Sequence, residues 1–182
     1  RPAMNAAIPV KVMNTFTPQE TGTVIVKEIK QSSKLVKAIA CKKDITLINV
    51  CSTRMLGAHG FLARLFAVFE KHKKSVDVIA TSEVSVSLSI DSEEDLYQII
   101  EDLDEIASIK VLPQKAIVCI VGDNMKGSPL AAGRTFETLG KNNINVEMIS
   151  QGASEINITF IVNNSDADNA VSLLHQEFFN HD

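Results

Sequence analysis

The segment SVDVIATSEVSVSL, Ser75 to Leu88, alternates apolar and polar residues, turns, and alternates again. That pattern predicts a β-hairpin. The stretch NVEMISQGASEINITF, Asn145 to Phe160, has the same shape and several of the same letters. When the sequence is slid by about 70 residues, these residues coincide: Arg64 with Arg134, Phe66 with Phe136, and Val76 with Val146. The sequence therefore predicts a duplicated unit.

Each predicted unit has the order strand, helix, strand, strand, helix, strand. In the first unit, the apolar run Ile45 to Val50 is typical of a buried strand, and Phe61, Leu65 and Phe69 form one face of a helix. The hairpin, a second helix with an apolar stripe and a short last strand follow. This βαββαβ order is the ferredoxin-like plan, an α+β fold with two helices on one face of a four-stranded antiparallel sheet.

The second unit ends without its last strand, whereas an earlier apolar segment, LVKAIAC, Leu35 to Cys41, has no unit of its own. Pairing this segment with the second sheet removes an open sheet edge. We therefore expect the first module, residues 45–112, to be inserted in the second, which comprises residues 35–41 plus 116–179. Residues 1–30 precede both modules.

Composition excludes several classes of function. A net charge of -4 gives no basic stripe for nucleic acid, and no apolar run is long enough for a membrane span. The three cysteines are odd in number and far apart, which favours free thiols in a reducing cytoplasm over disulfides or a metal site. The chain begins without an initiator Met, and we expect it to be a fragment of a longer protein.

The segment LGAHGFLA, Leu56 to Ala63, begins the first predicted helix. A helix start exposes unpaired N–H groups and a partial positive charge, and glycines such as Gly60 let a ligand approach the backbone. Such a pocket suits a carboxylate. We expect Asp77 to lie opposite it and to take an ammonium group, so that the site fits a free amino acid. The alternative is that the glycines only make a turn and Asp77 is a solvated residue at a strand edge.

The letters add a resemblance to a known family. GFLARLFAVFEKHKKSVDVIATSEVSVSL closely resembles the first regulatory ACT module of aspartate kinases, and QGASEINITFIV resembles the second. RPAMNAAIPVKVMNTFTPQETGTVI resembles the junction at which the kinase catalytic domain of those enzymes ends. The resemblance covers almost the whole chain in one order.

The resemblance implies an effector site shared among a loop, a strand start and a hairpin turn, partly across a module interface. Together with Gly60, its residues are Met55, Ala58, Phe61, Leu62, Val76, Asp77, Ser82 and Glu83. A possible second site comprises Met125, Ser128, Leu130 and Glu147. Glu83 and Glu155 each follow a serine at a turn and have the alternative role of capping the hairpin, and Pro129 at a helix start has a structural alternative.

The effector that we favour is threonine, with lysine next. Ala58 stands where lysine-sensing relatives commonly have a hydroxyl residue, and the whole resembles the threonine-inhibited enzymes of fungi. A small polar side chain also sits more easily beside Ala58 than a long cationic one.

No catalytic residues, metal ligands or cofactor site are predicted, since no phosphate-binding loop or catalytic grouping has the required spacing. The resemblance implies that ATP and Mg bind a catalytic domain outside this fragment, which itself would control aspartate phosphorylation by feedback inhibition. We expect a cytoplasmic homodimer formed through the ACT modules. The alternatives are a stand-alone amino-acid-binding ACT regulator and a ligand-free dimerisation module.

Overall fold

The computed structural model describes residues 2–27, 35–57, 59–91, 93–122, 125, 129–152 and 156–179. The chain divides into two compact units, Arg1–Ser33 and Lys34–Asp182. Among the described residues, no helix is both long and apolar enough to cross a membrane.

The first unit is a short helix followed by a two-stranded antiparallel sheet. Helix α1 is Pro2–Asn5, and strands β1, Val10–Val12, and β2, Thr23–Ile25, pair with each other. Gly22 lies just before β2 with a φ of +66°, and a Cβ there would meet the carbonyl oxygen of Val12 at 2.3 Å, so that only glycine fits. Large apolar side chains of this unit are exposed, Phe16 most of all.

In its described residues, the second unit contains one six-stranded sheet and four α-helices. Its strands are β3 Val36–Cys51, β4 Ile79–Thr81, β5 Ser85–Ile90, β6 Ser108–Gly122, β7 Met148–Ser150 and β8 Asn157–Asn163. Its helices are α2 Phe61–Lys71, α3 Leu96–Asp104, α4 Pro129–Lys141 and α5 Ala167–Phe179, with 3₁₀ turns at Thr53–Met55 and Asn164–Asp166. Neighbouring strands lie in the order β4-β5-β3-β6-β8-β7, and every pair is antiparallel.

The sheet contains two overlapping ferredoxin-like sets of four strands, which we call the first and second modules. The first is β4-β5-β3-β6 with α2 and α3, and the second is β3-β6-β8-β7 with α4 and α5. The predicted fold class is confirmed, and so is the pairing of LVKAIAC with the second sheet, because Ala38 pairs with Val121 and Ala40 with Cys119. The residue boundaries of the domains stay a prediction.

One expectation about the strands is corrected, because β3 and β6 each run through both modules. The segments predicted as separate strands at 35–41 and 45–50 form the single strand β3. Register shifts between Lys42 and Leu47 mark where the chain passes from one module to the next, and Asp44 has a positive φ there. Irregular pairing of this kind bends a strand without ending it.

In the part of the chain that the structure describes, alternation along the strands separates three apolar cores. The helix-side core of the first module includes Ile48, Val50, Leu65, Phe69, Val86 and Leu88. The helix-side core of the second includes Val118, Ile120, Leu139, Phe160, Ala170 and Leu174. A third core joins residues of both modules on the helix-free side: Ile45, Leu47, Ile117, Met148 and Ile161. The two modules thus bury these faces against each other.

Candidate functional site

The loop before α2 presents the backbone amides that the sequence singled out. β3 ends at Cys51, and the Ser52 N–H then donates to the Val84 carbonyl at 2.9 Å, which fixes the loop beside the β4–β5 hairpin turn. α2 begins after Gly60, whose φ of +76° favours glycine. No side chain caps the helix from that position. The backbone N–H groups of the first turn of α2 therefore have no hydrogen bond to a capping side chain at Gly60.

The side chains predicted around this loop differ in their exposure. Phe61 is buried in the core of the first module, so only its backbone is placed to meet a ligand. Met55 is half-buried against the same core. Leu62 is exposed. Ala58 lies outside the described residues.

The turn between β4 and β5 is held by two serines. The Ser82 N–H donates to the Ser85 carbonyl at 2.8 Å, and the Ser85 N–H donates to Ser82 Oγ at 3.1 Å. Glu83 is exposed at the tip. The Ser82 hydroxyl therefore caps this hairpin. Glu155, the counterpart of Glu83 in the second module, lies outside the described residues.

The expectation that Asp77 lies opposite Gly60 within one module is wrong. The Asp77 N–H donates to the carbonyl of Ser89, whereas the chain reaches Gly60 from Cys51, which pairs with Ser85. Those two points on β5 are about 13 Å apart at roughly 3.3 Å per residue. The physical reason is the path of the chain: α2 runs back along the sheet, so β4 starts at the end of the module away from the helix start. Val76, half-buried against the core, precedes Asp77 at that far end.

The Asp77 carboxylate has an ion-pair partner within its own chain. Lys42 Nζ lies 2.6 Å from Asp77 Oδ2 and 3.2 Å from Asp91 Oδ2. The hydrogen bond to Asp77 raises the pKa of Lys42, and Lys42 in turn lowers the pKa of Asp91. Sequence patterns do not predict this pair, because 35 residues separate Lys42 from Asp77.

The second module has an equivalent pair, more deeply placed. The Glu147 N–H donates to the Ile161 carbonyl, as Asp77 does to Ser89. Glu147 Oε1 accepts from Lys115 Nζ at 2.8 Å, and Lys115 also donates to Asn163 Oδ1 at 2.6 Å. Lys115 is buried, with 8% of its surface exposed.

The other residues of the possible second site differ in their exposure. Met125 is buried in the core of the second module, and Leu130 is exposed in the first turn of α4. Ser128 lies outside the described residues. The second site therefore stays a prediction, with its carboxylate already paired.

The comparisons with known proteins agree with this architecture. The ACT domain family model matches residues 118–178. Aspartokinase 1, chloroplastic, of Arabidopsis thaliana is 42% identical over 98% of this chain and 33% of its own length. Aspartokinase of Schizosaccharomyces pombe is 34% identical over 96% of this chain and 38% of its own length. The chain thus spans about a third of the length of the curated relatives it matches.

Solved structures extend the comparison to the fold. A structure of Escherichia coli aspartokinase III in complex with lysine and aspartate has a TM-score of 0.83 and 32% identity, over 98% of this chain and 40% of that one. A putative C-terminal regulatory domain of aspartate kinase from Porphyromonas gingivalis W83 has a TM-score of 0.69 and 36% identity, over 79% of this chain and 97% of that one. This chain therefore belongs to the aspartokinase family and corresponds to the ACT-containing regulatory region of its members.

Proposed function

We propose that this chain binds an amino-acid effector, most favourably threonine, and thereby controls the ATP-dependent phosphorylation of L-aspartate by a catalytic domain of the same protein. That reaction begins the synthesis of threonine, methionine and lysine. ATP and Mg would bind the catalytic domain, and the residues described here would do no chemistry. The cytoplasmic location also stays a prediction.

The observation that carries the proposal is the separation of two complementary groups. The helix start at Gly60 suits a carboxylate, and Asp77 suits an ammonium, yet they lie at opposite ends of one module. A single zwitterion cannot contact both in one chain. A second copy of the chain supplies the missing half.

Strand β4 gives this second copy a means of attachment. Among the described residues it is an edge strand that pairs within the sheet with β5 alone, and its Ile79 carbonyl also accepts from Ser150 Oγ of β7 at 3.0 Å. Antiparallel pairing of β4 with the same strand of a symmetry-related copy places the start of one strand beside the end of the other. Asp77 of the partner subunit then comes near Ser82, Glu83 and the loop before α2, and two such sites form per dimer.

Control of the catalytic domain follows from differential binding. An effector that binds one arrangement of the two copies better than another shifts their populations. A coupling of ~1–3 kcal/mol corresponds to roughly 5- to 150-fold inhibition. The exposed apolar side chains of the first unit, such as Phe16, Val12 and Ile25, offer a surface for the catalytic domain. Because a stand-alone regulator would leave these apolar side chains in water, they favour a chain attached to a catalytic domain.

One observation favours the ligand-free dimerisation module as the second candidate. Lys42 already neutralises Asp77, so the ammonium subsite is filled by the protein itself. Isothermal titration of the full chain with threonine, lysine, methionine and S-adenosylmethionine separates the two candidates. We expect saturable binding of threonine at one molecule per chain, together with a dimer in sedimentation. Tighter binding of lysine would correct the effector, and no binding of any of them would leave only the dimerisation module.

A further inference from the structure

Lys42 presents to Asp77 the same chemical group that an amino-acid effector would bring. Its ammonium lies 2.6 Å from Asp77 Oδ2, a distance typical of a charge-assisted hydrogen bond. An effector's α-ammonium that bound Asp77 would therefore meet a competitor of its own kind. Two ammonium groups on one carboxylate also repel each other, so the competition affects affinity directly.

The Lys42 ammonium has a second carboxylate within reach, that of Asp91. Asp91 Oδ2 lies 3.2 Å from the same Lys42 ammonium, and the Asp91 side chain is 47% exposed. Lys42 itself is 47% exposed, so a small rotation of its flexible side chain carries the charge from one carboxylate to the other. Because both pairs are partly exposed, neither is strong enough to lock the lysine in place.

Lys42 also lies where the two modules join. The register of β3 against β6 shifts directly after Lys42. The next residue, Lys43, pairs with Asp168 at the start of α5 in the second module, at 2.6 Å. Lys43 carries the same charge one position away but points to another carboxylate, which makes it a matched control.

We propose that Lys42 is a specificity-determining residue of the effector site, an internal ammonium that occupies Asp77 when the site is empty and transfers to Asp91 when an effector ammonium takes its place. This inference rests on the proposed function. It makes the measured affinity the difference between effector binding and release of the internal ion pair. Asp91 is then a positioning residue, since it acts only through Lys42.

The experiment is isothermal titration of the full chain with L-threonine and L-lysine, in wild type and in Lys42→Gln, Lys43→Gln and Asp91→Asn. Thermal unfolding verifies that each variant is folded. We expect Lys42→Gln to bind the better of the two amino acids about fivefold more tightly, the ratio for releasing one partly exposed ion pair. Asp91→Asn is expected to bind severalfold more weakly, and Lys43→Gln as wild type does.

A probe without the ammonium sharpens the test. N-acetyl-L-threonine keeps the carboxylate and side chain but cannot compete with Lys42, so any binding it shows gains nothing from Lys42→Gln. If wild type binds an amino acid and Lys42→Gln binds it equally or more weakly, the inference is overturned and the proposed function stands. If neither protein binds any of the probes, both are overturned. Binding by Lys42→Gln alone supports the inference in its strongest form.

Discussion

The two modules hold the same pair of charges in different surroundings. Asp77 and Glu147 occupy equivalent positions of the repeat. The N–H of each donates to a carbonyl of the second strand of its own hairpin, that of Ser89 or that of Ile161. Asp77 meets Lys42, whose side chain is 47% exposed, whereas Glu147 meets Lys115, whose side chain is 10% exposed. Lys42 is shared with a second carboxylate, but Lys115 is shared with a neutral amide, that of Asn163.

We call the partly exposed pair of Lys42 with Asp77 the open pair and the buried pair of Lys115 with Glu147 the closed pair. A partly exposed ion pair is weak, so in our proposal the Asp77 carboxylate of the first module stays within reach of a ligand. A buried ammonium cannot leave its carboxylate without a large desolvation cost, so the second module uses the pair as structure. The effector site is therefore expected in the first module, with the second as its support.

The largest effect is expected from breaking the closed pair. Lys115→Met leaves Glu147 beside an apolar side chain and leaves the Asn163 amide oxygen without its ammonium donor. Removing one partner of a buried ion pair costs about 3–5 kcal/mol, and we expect the lower end because the Glu147 side chain is 25% exposed. Denaturation by urea measures the free energy of unfolding. Lys43→Met removes an exposed lysine as the control, and an equal loss in both variants would contradict the comparison.

The next effect concerns ligand affinity. Asp77→Ala removes the carboxylate proposed to hold the effector's ammonium, and we expect titration with L-threonine to show affinity weakened tenfold or more, or about 1.4 kcal/mol. The fold should persist, because the Asp77 backbone keeps its bond to Ser89. Glu147→Ala is the matched control and should lower stability without changing affinity. Unchanged affinity in Asp77→Ala would remove that residue from the site.

The repeat can be predicted from the sequence, whereas the two ion pairs cannot. Sliding the sequence reveals the duplication, since residues such as Val76 and Val146 fall at matching places in matching elements. It also places LVKAIAC in the second module, because a missing strand and a spare strand can be counted. Comparing the two repeats does not reveal the lysines, since Lys42 lies 35 residues from its partner and Lys115 lies 32 from its own. They do not coincide at the repeat spacing.

The error over Asp77 has a different origin. The predicted order of elements is right, but α2 returns along the sheet before β4 begins, and this direction puts the start of β4 far from the start of α2. The same topology is the reason that we propose a site built from two copies. A continuous β3 was also hidden, because Lys42, Lys43 and Asp44 look like a loop in sequence. In the fold they carry the strand from one module into the other.

A smaller effect separates the glycines of helices α2 and α4. Gly60→Ala places a side chain at a φ of +76°, although no atom of the described residues lies nearer to it than Arg64 Nη1 at 4.0 Å. We expect a loss of about 1 kcal/mol in unfolding free energy from backbone strain alone. Gly133 lies within α4, with open space around its missing Cβ, so Gly133→Ala should stabilise the chain by about 0.5–1 kcal/mol. Changes of the same sign in both variants would refute the strain argument.

The smallest effect is the response of the ion pair between Lys42 and Asp91 to acid. Lys42 lowers the pKa of Asp91, so the pair with Asp91 stabilises the fold above the ordinary pKa of a free aspartate and is lost as pH falls through the lowered value. As the pH falls below the ordinary pKa of a free aspartate, about 3.9, the melting temperature of wild type should therefore approach that of Lys42→Gln. Differential scanning calorimetry of both proteins, compared with Lys43→Gln, measures this convergence. A constant gap down to the lowest pH would mean that Lys42 stabilises the chain through packing of its alkyl stem rather than through its ion pair with Asp91.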